Sequence, residues 1–276
     1  MAKDNYDGIF DQQPDEGWKE QRQQDRRQER EALFGLAEQT ALGLGDPAKL
    51  AQYLDTQARF PSHSVNNALL IMAQMPGATQ VRTFDAWKAA GASIQKGQKS
   101  IQILEPGQRF EGDDGQMRTP YNPRRVFDIA QTDAQPAPAD SFSERQRLIA
   151  LVRYSPIPCI YSDQVPQGKL AHYDGKSVIV RKEGCDTPDL FRAIAGEMAA
   201  AKLGNGFGAQ CAAYMLCRQH GIEPPSVDRP PEAFSGDDAQ AIRGELNKIR
   251  EAAGEIGKRM ERNLDPRTKE KPVVPE

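Results

Sequence analysis

The chain has 276 residues, of which 38% are hydrophobic and 27% charged, and its net charge is −3. That length suits about two modest domains with tails, and the negative balance removes any global electrostatic case for nucleic acid, so a basic site has to be local. The longest apolar runs, such as Ala68 to Ala73, fall far short of the roughly 20 residues that span a bilayer. The acidic segment from Met1 to Gln13 lacks the apolar centre of a signal peptide, so the expected location is the cytoplasm.

Residues 1–30 carry few apolar side chains, and QRQQDRRQER at 21–30 reads either as a solvated helix or as a flexible arm. Helical apolar spacing follows at 33–44 and 46–60, the latter opened by Asp46-Pro47 as cap and first turn. Ser64 is a good N-cap for a helix that Pro76-Gly77 stops, and residues 83–91 form a short helix ending on Gly91. Strand character appears at 100–104 and 125–129, with the polar stretch 111–122 between them as a hairpin loop holding Asp114-Gly115. TDAQPAPAD at 132–140 is a Pro/Ala linker and marks a domain boundary.

Beyond the linker, residues 143–154 are helical. Short strands are expected at 159–161, 170–173 and 177–180, with a tight turn at Asp174-Gly175. Helices at 187–203 and 208–219 precede a Pro-rich break, and 237–263 is a charged helix with sparse apolar positions. This last segment has the look of a partner or coiled-coil helix, or simply of a solvated one. Cys159, Cys185, Cys211 and Cys217 show no CxxC spacing and read as reduced, partly buried thiols.

Two constellations carry chemistry. The first is the ordered series HSVNNALLI, QMPGATQVRTFDAW, GASIQKGQKSIQILEP and VFDIAQT within residues 63–132. It resembles the N-terminal single-stranded-DNA-binding domain of ArdC-type antirestriction proteins, in the variant found in LtrC-like proteins of conjugative elements. The resemblance covers about a quarter to a third of the chain and rests on the spacing of Asn-Asn, Trp, Gly and Lys-Gly-x-Lys. The residues suit the task independently. From Gln80 to Val126 eight Lys/Arg face five Asp/Glu, a local balance of +3 in an acidic chain, and strand binding needs cations for the backbone and flat faces for the bases.

Candidate nucleic-acid contacts are Asn66, Asn67, Arg82, Trp87, Lys88, Lys96, Lys99, Arg124 and Arg125, with Phe84 and Tyr121 as further stacking faces. Several have a plain structural alternative. Trp87 suits a core position, Asn66 and Asn67 suit helix caps or interior hydrogen bonds, and Lys96-Gly97-Gln98-Lys99 suits a charged turn.

The second constellation is Gly196-Glu197-Met198-Ala199-Ala200, which occupies the place of an HExxH motif on a helix that follows short strands. The region resembles the zinc-metallopeptidase-like domain that follows the DNA-binding domain in the same family. Zincins need two His at i and i+4 on one helix face, and a Glu beside the first as general base. Here Gly196 and Ala200 replace both His, and Gln210 or Gly208 stands where the resemblance implies a third, acidic ligand. Glu197 is then vestigial, a helix carboxylate exposed or paired with a neighbour such as Lys202. Cys217 and His220 at i, i+3, with His172 and Cys185, do not fix a substitute metal site.

The expectation is an α+β protein: a flexible arm at 1–30, a helix-rich domain with a small antiparallel sheet at 31–131, a linker at 132–140, a small zincin-like α+β domain at 141–224, and a Pro-rich linker, charged helix and tail at 225–276. No catalytic residue, metal or cofactor is expected. The expected partner is single-stranded DNA in a plasmid or conjugative setting, for antirestriction or strand protection, with room for a protein partner on the second domain or the last helix. The competing readings are an active zinc peptidase with displaced ligands and a protein-interaction scaffold.

Overall fold

The computed structural model describes residues 16–112, 114–136, 140–182 and 184–264. Part of the expected linker and all of the stretch before Glu16 lie outside them. The chain is α+β, with eight helices and eight strands among the described residues. Helix α1 (Glu16–Leu42) is followed by α2 (Pro47–Arg59), which Asp46 caps by accepting from the Ala48 amide at 2.8 Å. Helix α3 (Val65–Gln74) starts at the expected Ser64 cap, and α4 (Phe84–Ala89) starts at Thr83. The stretch 16–30, open between helix and arm in the sequence, is helical.

Strands β1 (Val81–Arg82), β2 (Ile101–Pro106) and β5 (Tyr121–Asp128) form an antiparallel sheet in the order β1-β5-β2. A small hairpin of β3 (Phe110–Glu111) and β4 (Met117–Arg118) sits within the loop between β2 and β5. Ile101 pairs with Val126 and Gln102 with Arg125, and paired residues share a sheet face. One face therefore carries Ile101, Ile103 and Val126, which pack with Phe60, Ile71 and Ala78. The other carries Gln102, Leu104, Arg125 and Tyr121 and is crossed by α1. There Tyr121 meets Phe34 edge-on at 6.3 Å, and Glu29 bonds Gln102 and lies 3.9 Å from Arg125.

The free edge of β2 is closed by α3. The Asn67 amide both donates to the Leu104 carbonyl and accepts from the Leu104 N–H, each at 2.9 Å, and Gln74 does the same at Gln102. Two side chains two helical turns apart thus replace a neighbouring strand and remove an exposed edge.

After α5 (Glu144–Arg153) comes a second small sheet, β6-β8-β7, built from β6 (Cys159–Tyr161), β7 (Ala171–Tyr173) and β8 (Val178–Val180). It packs on α6 (Thr187–Leu203), which pairs with α7 (Phe207–Gln219). Helix α8 (Ala239–Leu264) closes the molecule, and its charged appearance misleads. Ile242, Leu246, Ile249, Ala253, Ile256 and Met260 recur at intervals of four and three and are all buried in the main core, which makes a continuous apolar stripe. The partner that this stripe suits is the rest of the chain. No helix among the described residues is long and apolar enough to cross a membrane.

Candidate nucleic-acid interface

The Lys96-Gly97-Gln98-Lys99 loop is held from beneath by the end of β5. Asp128, fully buried, accepts from the amides of Thr79 at 2.7 Å, Gln80 at 2.8 Å and Ala130 at 3.0 Å, and it forms a capping box with Gln131. The Gln131 amide then donates to the Lys99 carbonyl at 2.7 Å. Gln95 completes the clamp, its N–H bonding the Gln131 carbonyl and its side chain the Thr132 carbonyl, each at 2.9 Å. Gly97 sits at φ +85°, a left-handed turn that a side chain would strain. The loop backbone is fixed while Lys96 and Lys99 stay exposed, and neither forms an ion pair among the described residues. Fixed cations without internal partners are what binding of a phosphate backbone requires.

The other candidates divide. Lys88 is exposed on α4, and Arg82 is exposed on β1 with its guanidinium 5.0 Å from the Trp87 ring centre. Arg124 lies 3.6 Å from Glu105, and Arg125 reaches Glu29. Both pairs are solvated, so each contributes little and exchanges readily for a phosphate. Trp87, by contrast, is 2% exposed and donates its indole N–H to the Phe127 carbonyl at 2.8 Å. It anchors a small cluster with Ala92 and Ile129 and offers no face to a base. Asn67 is committed on both amide atoms to Leu104, and the Asn66 carbonyl oxygen accepts from Arg243 at 3.4 Å. Trp87 and Asn67 serve the fold, because their polar atoms are already satisfied inside it, while Asn66 has only its side-chain oxygen engaged.

Asp128 and Gln131 were absent from the sequence candidates although they place the loop. Their signal was available: an Asp followed three positions later by Gln is a capping-box spacing, and it lies within the VFDIAQT series.

Glu197 lies on α6 directly after Gly196 and three residues before Ala200, neither of which carries a metal-binding side chain. Its carboxylate accepts from the Tyr173 N–H at 2.8 Å and from Lys169 at 3.4 Å, so it fastens α6 to strand β7. The neighbour anticipated for it, Lys202, pairs instead with Glu255 on α8. Gln210 closes a reciprocal pair with Asp228, donating at 2.7 Å and accepting from the Asp228 N–H at 2.9 Å. Around Gly196 there is open space rather than a donor. A metal needs three or more convergent ligands, and no group of His, Cys, Asp and Glu among the described residues provides that. The donor set at this helix therefore does not fit a metal.

Of the remaining candidates for metal chemistry, Cys217 and His220 are buried and His172 and Cys185 are partly buried. Burial pushes the Cys159 thiol up to about 11 and the Cys211 and Cys217 thiols up to about 12, so all three stay protonated and unreactive at neutral pH. His220 caps α7 with its ring 6.0 Å from that of Phe191.

The fold and the clamped basic loop define a small α+β unit in which a helix-edged antiparallel sheet presents fixed cations. Residues 46–134 match the family described as the N-terminal domain of anti-restriction factor ArdC. The chain is also similar to solved structures of the antirestriction ArdC protein from the R388 plasmid. The metal-free form has 16% identity and a TM-score of 0.46, covering 72% of this chain and 84% of that one. The Mn(II)-bound form has 14% identity and a TM-score of 0.47, covering 79% and 98%. No curated protein matches the chain.

Proposed function

We propose that the protein binds single-stranded DNA through its ArdC-type segment and serves an antirestriction or strand-protecting role for a plasmid or conjugative element. Residues 141–224 act in this reading as a scaffold without peptidase activity. The observation that carries it is the loop at 96–99. It is fixed by Gln131 and Gln95, bears two lysines without an ion pair among the described residues, and lies inside the segment that matches the ArdC N-terminal domain. Both Glu197 oxygens are engaged structurally, which supports the non-catalytic part.

The test is a fluorescence-polarisation titration of a labelled oligonucleotide with wild type and the Lys96→Glu/Lys99→Glu double variant across a salt series. Loss of two phosphate contacts lowers the slope of log affinity against log salt by about 1.4, since each contributes about 0.7 on a single strand. Unchanged affinity and slope would remove the loop from the interface. A wild-type protein with no affinity for single strands would remove the function.

A further inference from the structure

Helix α1 extends well past the sheet it packs on. Every described side chain from Gly17 to Gln28 is exposed, whereas Leu33, Ala37 and Ala41 are buried. Three contacts give its direction. Phe34 meets Tyr121, while Glu29 meets Arg125 and Gln102. Moving toward the N-terminus of α1 thus means moving toward the C-terminal end of β5, where Arg82 pairs with Phe127. The step from Arg125 to Phe127 spans about 7 Å of strand, which corresponds to between four and five helical residues. Residues 24 and 25 therefore lie about level with Phe127, so Arg26 still stands over the sheet, Arg22 lies about at its end and Trp18 overhangs it.

The helical repeat decides which side chains face that end. At about 100° per residue, Trp18, Lys19, Arg22 and Arg26 all fall within roughly 60° of the direction of buried Leu33. The acidic Glu20 and Asp25 fall outside that arc. The inward face of the overhang is thus three cations and a tryptophan, the polar continuation of an apolar stripe. Trp18 is 54% exposed and Arg22 lies 5.0 Å from its ring centre. Arg82 and Arg125 occupy the sheet face that α1 crosses, because Phe127 and Arg125 are two residues apart on β5 and Arg82 is paired with Phe127.

We propose that the projecting half of α1 and the end of the β1-β5-β2 sheet form one groove that holds a single-stranded DNA backbone, with Trp18 as its base-stacking face. The charge sets the occupant. Cations from two elements converge, the overhang's acids Glu20 and Asp25 lie outside the inward arc while Glu29 is taken up by Gln102 and Arg125, and an exposed indole stands beside them, a combination suited to a phosphate chain with unpaired bases. This deepens the reading under Proposed function and rests on it. The groove adds residues outside the segment 46–134 that matches the ArdC domain.

The chain has two tryptophans and Trp87 is buried, so quenching of intrinsic fluorescence by oligo(dT) reports on Trp18. We expect quenching with the wild type and none with Trp18→Ala. Arg22→Glu/Arg26→Glu should weaken binding by about tenfold or more and lower the salt slope by about 1.4. Arg22→Gln/Arg26→Gln should weaken binding in the same direction while keeping good helix formers, and circular-dichroism melts should match wild type because the positions are exposed. A wild type that binds oligo(dT) unquenched, with both arginine variants as tight, overturns the groove and leaves the Lys96–Lys99 reading standing. A wild type that does not bind overturns both.

Discussion

His220 shows how one buried side chain sets a pH dependence. Its ring is 6% exposed and its Nε2 has no partner. Burial, reinforced by the charge of Arg147 and partly opposed by Asp140, pushes its pKa down to about 4 from 6.5. Between those values the unfolded chain binds a proton that the folded chain refuses, so stability rises with pH across that window. The contribution is intact above about 6.5 and is lost progressively as the pH falls to 4, a loss of at most roughly 3 kcal/mol. We expect urea midpoints to fall between pH 7 and pH 4.5, and to fall less in His220→Leu, which places an apolar side chain against Phe191. Equal losses in both proteins would assign the acid sensitivity to other groups. The sequence singled out His220 only as a possible metal ligand, because burial without a partner for Nε2 is a property of α5, α6 and α7 together. The same holds for Asn67. As a residue type at a helix start it suited a phosphate contact, a cap or an interior bond alike, and only the approach of β2 decides among them.

At the scale of elements, local signals did well wherever punctuation was strong. The expected helices at 187–203 and 208–219 appear as Thr187–Leu203 and Phe207–Gln219, and the turn at Asp174 is held by the amides of Lys176 and Ser177. The stripe of α8 was harder to see because Ala252, Ala253 and Gly257 carry part of it with little apolar weight. At Gly257 a Cβ would come 3.1 Å from the Gln219 side chain, so α7 and α8 approach closely there. The junction of α6 with β7 depends on Glu197. In Glu197→Ala the Tyr173 N–H loses a charged acceptor in a half-buried setting, which costs on the order of 1–3 kcal/mol. We expect faster hydrogen exchange at the Tyr173 amide and a lower melting temperature, with most of both recovered in Glu197→Gln, which keeps an acceptor oxygen. Unchanged exchange at Tyr173 in the alanine variant would refute the fastening role.

For the whole molecule, the question is whether the sequence boundary at 132–140 separates two stable units. The main apolar cluster runs across it. Leu33 and Ala37 of α1, Leu54 of α2 and Leu69 of α3 belong to the same cluster as Ile194 of α6, Leu216 of α7 and Ile249 of α8. Polar contacts cross as well. Asp55 on α2 accepts from Tyr214 at 2.9 Å and Arg218 at 2.8 Å on α7, and Asn66 on α3 meets Arg243 on α8. Units that bury each other's apolar faces lose those faces together, so they unfold together. We expect scanning calorimetry to show one transition, with a calorimetric enthalpy close to the van't Hoff value. A fragment limited to residues 46–134 leaves Leu50, Tyr53 and Leu54 without α7, and should melt without cooperativity. Two resolved transitions in the full chain, or a sharp melt of the fragment, would show that the boundary read from composition is also a boundary of stability. DNA binding then gives a second reading of the same coupling. If α1 and the end of the β1-β5-β2 sheet engage one strand, saturating oligo(dT) raises the single transition as a whole, because the bound state requires both elements folded.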